Sequence, residues 1–199
     1  MGAGIVLCDP HRAVIKGPSR LRAQKGIDGT GKTTQINRLE NCLKSEGHDV
    51  ICTFEPGASS IGKEVRAFIL DSRYDIAPLT ETLLLCADRY EHQQNIIIPA
   101  LKAGKTVLAD RTQDSTVAYQ AFGKGVDLKL IEDFDRQYLI RPDITFYLDI
   151  ESGKTAGRID RRLQSAGEQN KFDIYATDFL TASGAATVIF VSVFRSVFG

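Results

Sequence analysis

The sequence has no tryptophan, one methionine and only four cysteines in 199 residues. Cys8, Cys42, Cys52 and Cys86 show neither C-x-x-C nor Cys/His ligand spacing, which argues against a zinc module or a dithiol redox centre. Cys42 and Cys86 fall inside apolar helical patterns and read as reduced core thiols. Neither charge is in excess: 25 Lys and Arg balance 25 Asp and Glu. No global field therefore draws the chain onto nucleic acid or an acidic membrane, and any anion binding must be local. The most apolar stretch, residues 185–194, is far shorter than the roughly 20 residues that span a bilayer. The early apolar run is too short for a secretory signal. Internal repeats and low-complexity segments are also lacking. Together these features predict a cytoplasmic protein without a membrane partner, organised as a single domain over residues 1–199.

What is present is the run Gly26-Ile27-Asp28-Gly29-Thr30-Gly31-Lys32-Thr33. It meets the pattern G-x-x-x-x-G-K-[ST] at every fixed position. Its glycines let the backbone curl around an anion and aim N–H groups inward, Lys32 reaches outer phosphates, and the Thr33 hydroxyl can ligate Mg²⁺. Residues 33–46 read as an amphipathic helix with Ile36, Leu39 and Leu43 on one stripe and Gly47 at its C-terminal cap. Upstream the pattern breaks. Residues 19–25 carry three cations and one sizeable apolar side chain, unlike the buried, β-branched strand from which such a loop hangs. The nearer strand-like run is Ile5-Val6-Leu7-Cys8. The expectation is a phosphate loop whose first strand is missing or altered.

Strand-like runs at residues 49–54, 106–109, 144–150 and 188–194 alternate with helical patterns at 60–70, 79–102 and 128–138. That alternation predicts an α/β fold, a parallel sheet with helices on both faces, whose ligands bind beyond the carboxyl ends of the strands. Asp110-Arg111 directly follows one strand. An acid there can hold Mg²⁺ and the guanidinium can bind phosphate, the alternative being an exposed salt-bridging pair. Ser115, Tyr119 and Gln120 stand on a short helix as groups able to read a base or sugar. Glu55-Pro56-Gly57 follows the strand ending at Phe54, and Ala87-Asp88-Arg89 lies in the long helix. Lys154, Arg158, Arg161 and Arg162 share one helical face, either as solvated surface or as a lid, residues 152–171, that closes over a phosphate.

Gly-Ile-Asp-Gly-Thr-Gly-Lys-Thr-Thr-Gln at 26–35, Glu-Pro-Gly at 55–57, Ala-Asp-Arg-Tyr-Glu-His at 87–92, Asp-Arg at 110–111, Asp-Ser-Thr-Val-Ala-Tyr-Gln at 114–120 and Arg-Pro-Asp-Ile-Thr-Phe-Tyr-Leu-Asp at 141–149 resemble the thymidylate kinase family, in order and at its spacings. So does Pro-Ala-Leu-Lys-Ala-Gly-Lys-Thr-Val at 99–107. The resemblance implies a three-layer P-loop NTPase fold and transfer of phosphate from MgATP to dTMP by a homodimer. It implies that Gly26, Ile27, Asp28, Gly29, Thr30, Gly31, Lys32, Thr33 and Thr34 hold ATP, with Thr33 and Asp110 on Mg²⁺. Asp28, Glu55, Leu85, Arg89, Arg111, Ser115, Tyr119 and Gln120 would bind the acceptor nucleotide. Lys32, Arg111 and the lid residues Arg158, Arg161 and Arg162 would act on the transferring phosphate, the lid supplying the arginine that Asp28-Gly29 lacks. The chain departs from the family at Phe54, usually Arg, at Ala58, usually Gly, at Leu85, usually an aromatic ring, and at Thr112, usually Tyr or a related ring. Residues 1–25 and 181–199 do not resemble the family's ends, the latter being an abbreviated C-terminus. Two alternatives remain open at this point: another nucleoside monophosphate kinase, and a nucleotide-binding remnant without activity.

Overall fold

The structure is a computed structural model that describes residues 21–25 and 31–148. Four parallel strands, β1 (Leu21–Lys25), β2 (Val50–Phe54), β3 (Thr106–Asp110) and β4 (Ile144–Tyr147), form one sheet in the order β2-β3-β1-β4. β1 is thus an inner strand, paired with β3 from Leu21↔Val107 to Gln24↔Asp110 and with β4 from Arg22↔Ile144 to Lys25↔Tyr147.

This corrects the expectation of a missing anchor. The strand from which the phosphate loop hangs is Leu21-Arg22-Ala23-Gln24-Lys25, not the run at residues 5–8. Alternation explains how so polar a segment is accommodated. Leu21 and Ala23 point to one face and join Val107, Ala109, Ile97 and Ala100 in a buried cluster. Arg22 and Gln24 point to the other face, where both are buried. There Gln24 Nε2 donates to the Lys32 carbonyl at 2.9 Å, tying the strand to the helix that follows the loop. The start of β1 is fixed by Asp143: Leu21 N donates to its Oδ2 and Asp143 N donates to the Leu21 carbonyl, each at 2.8 Å.

Helices cover both faces. Helix α1 (Lys32–Ser45) sets Ile36 and Leu43 against Val50 of β2 and Leu108 of β3. It ends as the sequence indicates: Gly47 adopts φ +83° and His48 N donates to the Leu43 carbonyl at 3.0 Å. Cys42 lies outside the buried stripe and is exposed, a correction to its reading as a core thiol. Cys86 is buried, and burial pushes its thiol up to about 11.

Helix α2 (Ser60–Leu70) is capped by Ser59, whose Oγ accepts from Gly62 N at 2.8 Å. The long helical pattern resolves into α3 (Pro78–His92), a π-helical turn (Gln93–Ile97) and α4 (Ile98–Lys102). The π turn accommodates Pro99 at the start of α4, and Ile97 and Ala100 cover the face opposite α1. Helix α5 (Gln113–Thr116) passes into a second π turn (Val117–Phe122), and α6 (Leu128–Tyr138) packs Ile131 on Val117. No helix among the described residues is long and apolar enough to cross a membrane. The expected strand at 188–194, the expected lid at 152–171 and the C-terminal residues 181–199 lie outside the described residues.

Candidate active site

Parallel strands end on the same sheet edge, so the residues that follow them converge. A cavity of about 620 Å³ opens there. Gly31, Lys32, Thr33 and Thr34 from the loop and α1 form one wall, and Asp110 at the end of β3 with Arg111 just after it forms another. Phe54 at the end of β2 with Glu55 and Pro56 just after it adds a third side, and Leu85, Asp88 and Arg89 of α3 complete the lining with Ser115, Thr116, Tyr119 and Gln120. Gly26, Ile27, Asp28, Gly29 and Thr30, together with Lys154, Arg158, Arg161 and Arg162, lie outside the described residues. All other residues expected from the sequence reach this one cavity.

Its polar wall is a connected chain. Arg89 Nε donates to Glu55 Oε2 at 2.6 Å and its Nη2 to Thr116 Oγ1 at 2.9 Å. His92 Nδ1 lies 3.1 Å from Glu55 Oε1, and its Nε2 lies 2.6 Å from Thr53 Oγ1. Burial alone would raise the Glu55 carboxyl, but the Arg89 charge and the His92 contact overcome it and hold the group below the usual carboxylate range. The same attraction holds the Arg89 guanidinium firmly charged against its own burial. Its Nη1 is buried and has no hydrogen-bond partner among the described residues. Glu55, expected as a substrate contact, lines the cavity with its carboxylate engaged by Arg89 and His92.

The turn after Glu55 is braced from two helices. Asp88 Oδ1 accepts from Gly57 N at 3.1 Å, and Arg66 Nη1 donates to the Pro56 carbonyl at 3.0 Å. Burial raises the Asp88 carboxyl, with the Gly57 amide opposing it. Gly57 has φ +107°, and a Cβ there would stand 2.8 Å from Arg66 Cδ, so backbone and space both require glycine.

Arg111 stands at φ +70° as the only non-glycine residue with positive φ among those described. Such a conformation is strained by about 1–3 kcal/mol and concentrates at functional sites. Its amide is held by the Gln24 carbonyl at 3.0 Å, so β1 fixes the strained residue in place.

Sequence reading did not single out Thr116, His92, Glu81 or Asp135. Glu81, 1% exposed, accepts from Gln120 Nε2 at 2.9 Å and pairs with Lys124. Asp135 on α6 is buried, and that burial pushes its carboxyl up to about 6. Thr116 and His92 carried a signal, since they lie inside the runs 114–120 and 87–92; Glu81 and Asp135 lie outside every such run.

No group of three or more His, Cys, Asp or Glu residues among those described is arranged to hold a metal by itself. The donor set at the cavity instead suits Mg²⁺, which takes one or two protein oxygens and completes its shell with phosphate and water. Thr33 is exposed there and Asp110 half-buried.

The sequence model of the family described as thymidylate kinase matches residues 25–183. A thymidylate kinase from Wolbachia pipientis is 43% identical over 158 residues, 78% of this chain and 73% of that protein. One from Chlorobium luteolum is 46% identical over 128 residues, 63% of this chain and 60% of that protein, so the match spans about three-fifths of that relative's length. Among solved structures, a thymidylate kinase from Ehrlichia chaffeensis superposes with TM-score 0.63 at 29% identity, covering 83% of this chain and 98% of that one.

Proposed function

The chain belongs to the thymidylate kinase family, and from that premise we propose that it transfers the γ-phosphoryl group of ATP to dTMP, giving ADP and dTDP. In this transfer the bond from Pγ to the β,γ-bridging oxygen breaks, and a bond forms from Pγ to a phosphate oxygen of dTMP. Such chemistry asks for positioning and charge neutralisation rather than a covalent intermediate.

The observation that carries this reading is the convergence of Lys32, Arg111, Arg89 and Gln120 on one cavity. Residues 26–31 and Lys32 would hold the ATP phosphates, with Thr33 and Thr34 beside them. Mg²⁺ held by Thr33 and Asp110 would supply charge neutralisation on the phosphates. Arg111 would hold the acceptor phosphate, and Arg89, Ser115, Tyr119, Gln120 and Leu85 would surround the thymidine. Arg158, Arg161 and Arg162 would close on the transferring group, and replacing them singly by Ala would then lower kcat more than it raises KM. Unimpaired kcat in all three variants would leave that face as solvated surface.

Leu85, buried at 7% exposure, stands where the family usually carries a ring, which keeps a second acceptor in view. A panel of dTMP, dUMP, dCMP, AMP and thymidine with MgATP tests the assignment. The account expects dTMP to have the highest kcat/KM; preference for dUMP, dCMP or AMP would assign a different monophosphate kinase, and preference for thymidine a nucleoside kinase.

The homodimer implied by the resemblance is supported by apolar side chains left exposed on adjacent helices, Ile61 and Phe68 on α2 and Leu79, Leu83 and Tyr90 on α3. A monomer by sedimentation at micromolar concentration would overturn it. Cytoplasmic residence completes the reading, and fractionation of cells that express the chain tests it.

A further inference from the structure

The Gln120 side chain joins a buried ion pair to the cavity. Glu81, in the first turn of α3, receives Gln120 Nε2 at 2.9 Å on Oε1. Lys124 Nζ donates to both of its carboxylate oxygens at 2.8 Å. An amide can usually be turned either way, and its partners decide which end is which. Here the partner decides, because an ion-paired carboxylate accepts hydrogen bonds and cannot donate one. The NH₂ end must face Glu81. The carbonyl end is therefore turned away from Glu81, on a side chain that lines the cavity.

We propose that the Glu81–Lys124 pair is a specificity device: it holds Gln120 so that the base meets a carbonyl and not an amide NH₂. The inference rests on the acceptor site assigned under Proposed function. The pyrimidines differ at the matching atom. Thymine and uracil carry a hydrogen on N3, which a carbonyl accepts; cytosine presents a bare N3 lone pair, which a carbonyl repels. A glutamine free to turn would accommodate both. Arg89 would complement this arrangement, since it lines the same cavity and its buried Nη1, without a hydrogen-bond partner among the described residues, is a donor left to satisfy. A donor and an acceptor on one cavity match the O4 and N3–H of thymine and oppose the amino group and N3 of cytosine. Sites built around such hydrogen bonds reject a mismatched substrate far more strongly than apolar pockets reject a missing methyl group. Glu81 and Lys124 are thus positioning residues that act through Gln120.

A purely structural ion pair would affect all substrates alike, so the test is a ratio. Binding of dTMP, dUMP and dCMP is measured by calorimetry, and kcat/KM with MgATP for the same three, in the wild type and in Glu81→Gln. Glutamine at 81 can accept or donate, which frees Gln120 to turn. The dTMP-to-dCMP ratio is expected to fall at least fivefold, while the dTMP-to-dUMP ratio stays within twofold, because those bases share N3–H. A smaller fall in the folded variant overturns the proposal. If Glu81→Gln does not fold, Gln120→Met, which removes both polar ends at similar volume, must produce the same fall; retained discrimination overturns the proposal equally. A wild type that binds dTMP in preference to dCMP but transfers no phosphate would contradict the kinase reading alone. Preference for dCMP in binding would contradict the orientation of Gln120.

Discussion

Arg89 and Glu55 meet across 34 positions of sequence, Nε to Oε2 at 2.6 Å, with side chains only 4% and 3% exposed. The pair joins α3 to the turn after β2 at the wall of the cavity. Removing one member of a buried pair leaves an uncompensated charge and typically costs about 3–5 kcal/mol. Glu55→Gln is accordingly expected to lower unfolding free energy by an amount in that range, and adding Arg89→Met should recover part of it. Urea denaturation of the single and double variants checks this. A loss below about 1 kcal/mol for Glu55→Gln would show the pair to be dispensable. The pH dependence has a definite sign. The Glu55 carboxyl is lowered in the folded state, so its contribution is present above the ordinary carboxylate range and is lost as pH falls through its folded value.

Asp135 titrates in the opposite sense. Burial raises its carboxyl from 3.8 to about 6, with the Arg89 and Arg141 charges opposing the rise and Glu55 and Glu132 adding to it. The folded state binds this proton more tightly than the unfolded chain, so its contribution is full below about pH 4 and lost as pH rises through about 6. Asp135→Asn is expected to flatten that segment of the stability profile and raise stability at pH 7 by about 2 kcal/mol. Thermal melts from pH 4 to 7 decide it; parallel profiles for wild type and variant would contradict the assignment.

Lys32→Ala is expected to abolish nearly all turnover while the protein still folds, because the ammonium acts on phosphate charge and not on core packing. Steady-state rates beside a melting curve check both halves. Retention of more than about a tenth of the rate, a barrier change under 1.4 kcal/mol, would remove Lys32 from the working site.

Arg111 combines a functional role with backbone strain. Replacement by Ala is expected to raise KM for the acceptor, since a bidentate phosphate contact exists in ground and transition states alike. Replacement by Gly should cost the same affinity, yet yield a protein up to about 1 kcal/mol more stable than the Ala variant, because φ +70° suits glycine. An unchanged KM, or an Ala variant as stable as the Gly one, would contradict the respective half.

Local patterns revealed most of this architecture. The apolar stripe of Ile36, Leu39 and Leu43, the cap at Gly47 and the helix at 60–70 depend on neighbours a turn away, and the structure reproduces them. That Lys32, Thr33, Asp110 and Arg111 would meet at one cavity was legible because their places beside strand ends fix it. β1 was not. Its polar residues Arg22 and Gln24 look unsuited to an inner strand until one sees that they share a face with Leu108 and Asp110 and that Gln24 reaches the Lys32 carbonyl. Only Leu21 and Ala23 hinted at the period of two. The orienting groups were hidden for a different reason. Glu81 lies 39 residues from Gln120 and 43 from Lys124, and Thr53 lies 39 from His92, so no local spacing could announce them. The inner place of β1 in the sheet also removes one motive for reading the chain as an inactive remnant.

The central claim is tested most directly by following the transferred group. With ATP labelled at the γ-phosphate and unlabelled dTMP, the account predicts that label appears in the terminal phosphate of dTDP, one equivalent for each ADP formed, and that Lys32→Ala abolishes the transfer. Label released only as inorganic phosphate, or folded protein that binds ATP and passes label to no dTMP, would contradict it.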